Sequence, residues 1–219
     1  MINLHLDELE KRYGKSVKLK NSIGICPMDF IKTPHDDLFY SYVFFDVIPL
    51  ERYNPIFDDF QKCKMPKFLK EIYSITNGCR MFCDSLVVYG EVSDYTRGEL
   101  YSPFGYFLGC LNGFQQFRDA YKRKNKREYP VKLYKDSEYR IFGWAAGSYL
   151  SFKPGDERVY ALTDGSTGES IKTYNSFQEC WDHYFYGFME RFDDDGKNKN
   201  PNKKLINYLW YGHHQRLFQ

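Results

Sequence analysis

The sequence predicts an α+β fold: a mostly antiparallel sheet flanked by helices. Three observations carry this reading. From Val131 to Tyr174 short apolar runs follow one another through links as brief as Ala146-Gly147, too short for the crossover that a parallel pair requires. Amphipathic helical patterns bracket those runs on both sides. Aromatic residues make up 19% of the 219-residue chain, with Tyr 20 and Phe 19, an excess that suits pleated, half-buried surfaces.

Residues 3–13 read as a helix, because Ile2, Leu6, Leu9 and Tyr13 recur at helical spacing and Gly14 stands where a C-terminal cap belongs. The β-branched and aromatic run 38–48 reads as a strand ending before Pro49. Pro55 opens a short helix through Phe57 and Phe60. A clearer helix covers 66–76: Pro66 occupies its first turn, Phe68, Leu69, Ile72 and Ile75 form its apolar stripe, and Asn77-Gly78 stops it. Residues 80–90 give one or two strands, 91–111 an ordered loop rich in turn-formers, and 113–124 a helix with Phe114, Phe117 and Tyr121 on one face. Five strands follow, at Val131–Tyr134, Tyr139–Ala145, Tyr149–Lys153, Arg158–Thr163 and Ser170–Tyr174. Ser176 and Glu179 form a capping box for a closing helix whose apolar face is Phe177, Trp181, Tyr184 and Phe188. A polar linker begins after Phe192, and an amphipathic helix is expected from Lys203 to Leu217. The chain divides into an N-terminal helix-and-strand extension packed on the core (1–50), an α+β domain (51–190), and a linker with a C-terminal helix (191–219).

Composition narrows the function. Lys+Arg 31 against Asp+Glu 29 leaves a formal net charge of +2, which gives no reason to expect a nucleic-acid or membrane-surface protein. The first residues lack a basic stretch followed by an unbroken apolar one, and no apolar run reaches the ~18 residues of a membrane span, so the expectation is a cytoplasmic protein. In that compartment the six cysteines are expected as thiols. Cys79 and Cys83 are closely spaced, but no second close pair follows and the histidines sit far away, so core thiols are expected in preference to a zinc site.

Phosphate loops, dinucleotide fingerprints, zinc-protease helices and nucleophile elbows are missing from the sequence, which predicts no catalytic residue, metal or cofactor. Asp193, Asp195 and Gly196 imitate part of a calcium loop, but the first and twelfth positions would be Arg191 and Asn202. Asp164, Glu169 and Lys172 resemble a metal-nuclease set, yet Asp164 stands in a Gly-rich turn that uses Asp for its own geometry. The basic run Lys122 to Arg127 reads as a solvated helix end. Adjacent His213 and His214 point in different directions on a helix, and Trp144, Trp181 and Trp210 read as core.

In order along the chain, several segments resemble the SUKH superfamily, which includes fungal cell-wall assembly regulators and bacterial toxin-immunity proteins. They are Met65 to Tyr73 ending at Thr76-Asn77-Gly78, Leu86 to Gly90, Ile141 to Phe152, Arg158 to Leu162, and Asn175 to Trp181. The likeness spans roughly residues 51–190, and Trp144 to Gly147 departs from the family's commoner Gly-Asp-Gly-type turn. It implies a SUKH-like α+β fold that binds proteins and transfers no catalytic residues. The expected function is therefore a non-enzymatic immunity protein that neutralises a polymorphic toxin by stoichiometric binding. The alternatives are a regulatory or scaffold module of the cell-wall-regulator type and, behind it, a nuclease or other hydrolase. Expected partner contacts are the loop residues Tyr95, Tyr101, Asp156, Glu157, Asp164 and Glu169, since loops vary without harming a core.

Overall fold

Local punctuation sets the elements of the computed structural model, which describes residues 1–20, 27–31, 33–34, 42–83, 85–91, 139–162 and 170–199. Helix α1 (Leu6–Tyr13) ends at Gly14, whose N–H reaches the Glu10 carbonyl. Strands β1 (Val17–Lys20), β2 (Pro27–Ile31) and β3 (Tyr42–Phe45) follow. A 3-10 turn (Leu50–Tyr53) and a π-helical turn (Ile56–Gln61), entered through Pro55, lead to α2 (Lys67–Tyr73). Pro66 stands just before α2 in extended conformation. Strands β4 (Cys79–Met81), β5 (Leu86–Val88), β6 (Arg140–Ala145), β7 (Ser148–Phe152), β8 (Val159–Leu162) and β9 (Ser170–Tyr174) precede α3 (Phe177–Arg191).

Among the described residues the strands form one nine-stranded sheet in chain order, every neighbouring pair antiparallel. This is the expected α+β architecture, and β6 to β9 follow one another as an antiparallel meander. Because β3 pairs with β4, the first fifty residues and the rest share that sheet. The predicted helix 113–124, strand 131–134 and helix 203–217 lie outside the described residues, as do the basic run 122–127 and most of the loop 91–111.

One face of the sheet and the three helices enclose the main core. Phe68 of α2 meets Phe142, Phe152 and Phe177 at ring distances of 5.2, 6.0 and 5.8 Å. Phe82 lies among Tyr42, Phe185, Phe188 and Phe192. Both Phe82 and Cys83 adopt left-handed backbone (φ 54), uncommon for side chains of this size, and burial of the Phe82 ring holds the β4–β5 turn in it.

Two corrections to the sequence reading arise here. Ile75 is not in the stripe of α2 but 47% exposed, because the helix closes at Tyr73 and the chain tightens, Ile75 N–H bonding the Ile72 carbonyl at 2.8 Å. Tyr73 takes the buried place. The chain after Phe192 is not a loose linker as far as it is described. Asp193 Oδ1 accepts the N–H groups of Asp195 (3.0 Å) and Lys197 (2.8 Å), Phe192 bridges Asn198, and Gly196 packs on Thr33. The calcium-like Asp193 thus serves its own turn.

Candidate protein-binding surface

The opposite face of β5 to β8 carries a second apolar cluster: Val87, Ile141, Trp144, Tyr149, Tyr160 and Leu162. Cross-strand register assembles it. Val87 stands beside Trp144, Trp144 beside Tyr149 and Tyr149 beside Leu162. A bulge between Ile141 and Gly143 inserts one residue, which brings Ile141 and Trp144 to the same face and turns Phe142 into the main core. Only glycine fits at 143, since a Cβ there would lie 2.5 Å from the Val87 carbonyl oxygen.

At the β7–β8 end this face runs into an aromatic and cationic cluster. The rings of Tyr139 and Tyr160 meet edge to face at 5.2 Å. Lys153 Nζ lies 4.8 Å from the Tyr139 ring and 5.3 Å from that of Tyr160, and the Arg158 guanidinium lies 5.6 Å from Tyr160. Asp156 locks the group: its carboxylate accepts the Arg158 backbone N–H (2.9 Å), Arg158 Nη2 (2.7 Å) and the Tyr160 hydroxyl (2.7 Å). Arg158 and Tyr160 together hold the Asp156 carboxyl well below the usual carboxylate range. Burial, with Asp156 behind it, pushes the Tyr160 hydroxyl up.

Two of the expected contact residues are thus engaged inside the molecule. Asp156 is spent on Arg158 and Tyr160, and Glu157 Oε1 accepts the Lys67 N–H at the start of α2 (3.2 Å). What the turn presents outward is the Arg158 side chain, 55% exposed. Tyr95, Tyr101, Asp164 and Glu169 lie outside the described residues. Of the other singled-out residues, Trp144 and Trp181 are core. Cys79 is a buried free thiol that burial pushes up to about 12, which disfavours the thiolate a metal would need.

The sequence reading missed a polar seam between α1 and α3. Asn3 and Gln178 exchange two hydrogen bonds, His5 meets Asp182, the Tyr186 hydroxyl donates to Glu8, and Arg12 reaches the Met189 and Phe192 carbonyls. On α3 these positions recur every three or four residues, one face of the helix. A shallow groove of about 660 Å³ lies along the seam, lined by Glu8, Lys11, Arg12, Tyr186, Met189, Glu190 and Asp194. A polar stripe at 178, 182 and 186 is visible in the sequence, but its partner 177 residues away is not.

Comparison of the chain with protein-family models, with curated proteins and with solved structures yields no match. No helix among the described residues is long and apolar enough to cross a membrane.

Proposed function

We propose that this chain is a non-enzymatic protein-binding domain of the SUKH type, an immunity protein that neutralises a toxin by stoichiometric binding. The observation that carries the reading is the Tyr139, Lys153, Arg158, Tyr160 cluster. Tyr and Arg dominate the energetic centres of protein interfaces, and side chains already locked in place lose little entropy on binding. Here Asp156 fixes the Arg158 fork and the Tyr160 hydroxyl before any partner arrives. Two glycines inside the SUKH-like segments are close-packed: a Cβ on Gly78 would meet the Val88 oxygen at 2.7 Å, and one on Gly90 the Asn77 oxygen at 1.8 Å.

Asp156 and Glu157, expected among the contacts, are engaged within the molecule, and the turn presents a cation outward. The turn offers the exposed Arg158 guanidinium beside the half-buried Tyr139, with Tyr160 buried behind them, which suits a partner presenting carboxylates or backbone carbonyls at its centre. The test is co-expression with the toxin domain of a neighbouring gene, where one is encoded. Wild-type chain restores growth, and Arg158→Ala weakens the complex about tenfold or more. Failure to protect, with no complex recovered, refutes the reading.

A further inference from the structure

The groove between α1 and α3 carries a charge pattern that is complementary to itself. Its α1 wall is Glu8, Lys11 and Arg12, and its α3 wall is Tyr186, Met189 and Glu190, with Asp194 just beyond the helix. Three of the charges are answered within the molecule. Glu8 accepts the Tyr186 hydroxyl at 2.7 Å, and Arg12 spends its fork on the Met189 and Phe192 carbonyls and its Nε on Asp194. Two are not. The Lys11 ammonium and the Glu190 carboxylate are exposed, and neither has a hydrogen bond or an opposite charge among the described residues. They stand at the same level on facing walls, because each is the chain neighbour of a residue in the Arg12–Met189 hydrogen bond (2.7 Å). Met189 and the ring of Tyr186, which is 44% exposed, give the groove its apolar surface.

An unanswered charge of one sign calls for a partner of the other. Here one groove offers both signs, a cation on one wall and an anion on the other. A two-fold axis perpendicular to the groove lays the α1 wall of one copy against the α3 wall of another. Lys11 then faces Glu190 of the second copy, and Glu190 faces its Lys11, so one contact is made twice with apolar side chains beside it. A partner of single sign would satisfy one wall and repel the other.

We infer that the α1–α3 groove seats a second copy of this chain, forming a two-fold dimer in which Lys11 and Glu190 pair reciprocally across the interface. This inference does not rest on the toxin-binding reading. The groove lies on the helix side of the sheet, whereas the aromatic and cationic cluster belongs to the other face, so the dimer leaves that cluster open.

Sedimentation velocity of the full chain between about 5 and 500 μM tests it. The expected result is a monomer–dimer equilibrium. Lys11→Glu and Glu190→Lys each set like charges face to face and weaken the dimer about tenfold or more. The double variant Lys11→Glu, Glu190→Lys rebuilds the pair with its signs exchanged and returns the dimer to within about threefold of wild type. Raising salt from about 0.05 to 0.5 M weakens the wild-type dimer, a readout that needs no variant to fold. A chain that stays monomeric over the whole range, a dimer indifferent to salt or to the single reversals, or a double variant no tighter than the singles overturns the inference.

Discussion

His5 Nε2 and Asp182 Oδ1 lie 2.7 Å apart across 177 residues of chain. The pair is the centre of a ladder whose C-terminal rung is Arg12. That guanidinium donates to the Met189 carbonyl (2.7 Å) and the Phe192 carbonyl (2.6 Å), and its Nε to Asp194 (3.0 Å), so it caps α3, whose last carbonyls have no intrahelical donor. The fork, more than the charge, serves these acceptors. Arg12→Lys is therefore expected to lose most of what Arg12→Ala loses, about 1–3 kcal/mol in urea unfolding. Near wild-type stability for Arg12→Lys would show that charge alone suffices.

At its other end α3 is held by its cap. Ser176 Oγ accepts the Glu179 N–H at 3.1 Å, and Glu179 Oε2 reaches back to the Asn175 N–H at 2.8 Å. Ser176→Ala is expected to cost about 0.5–2 kcal/mol. Trp181, fully buried and stacked on Phe177 at 5.3 Å, is expected to cost about 3–5 kcal/mol on truncation to Ala. Denaturant titration of both variants checks the ranking.

Two glycines give opposite signs for the same substitution. A Cβ on Gly90 would lie 1.8 Å from the Asn77 backbone oxygen, so Gly90→Ala must separate the Asn77 and Glu91 backbones that the Asn77 amide ties together. The expected loss is about 1–3 kcal/mol or more. Gly187, inside α3, has open space where a Cβ would stand, and Gly187→Ala is expected to gain about 0.5–1 kcal/mol. Thermal melts of the two variants should move in opposite directions.

Acid should weaken the fold through Glu10 and Asp156. Lys15 and Ser16 lower the Glu10 carboxyl from its ordinary 4.5 to about 2, and Arg158 and Tyr160 lower that of Asp156 from 3.8. Depressed carboxyls stabilise above their unfolded values and lose that contribution as pH falls through the folded ones. The contribution of these two carboxyls is thus expected to be constant above about pH 5 and to decline below about pH 4. Glu10→Gln should show a shallower decline than the wild type in unfolding measured across that range.

What was legible in the sequence is what neighbours along the chain decide. The Ser176–Glu179 box, Gly14 after α1, Pro55, Asn77-Gly78 and the short links from β6 to β8 all act within a few residues. Along α3, Phe177, Trp181 and Phe188 were legible as core and Tyr184 packs against it half-buried, but the buried Phe185 was missed, since a helix face is wider than one stripe. The bulge at Gly143, Ile75 turning outward, and the packing of Gly196 on Thr33 depend on contacts that form only after folding. The same is true of the site. Asp156 and Glu157 were legible as loop acids, but Arg158 two residues on and Lys67 ninety residues before engage them, and no spacing rule foretells that.

The central claim, binding without turnover, is tested most directly by light scattering on the full chain mixed with a purified candidate toxin domain, taken from a neighbouring gene or from a pull-down, with the toxin's activity followed in the same samples. The account predicts a complex of fixed stoichiometry, toxin activity that falls to zero at that ratio, and a complex weakened by Arg158→Ala. Toxin activity abolished by sub-stoichiometric chain, with a modified or cleaved toxin recovered and no stable complex, would contradict it.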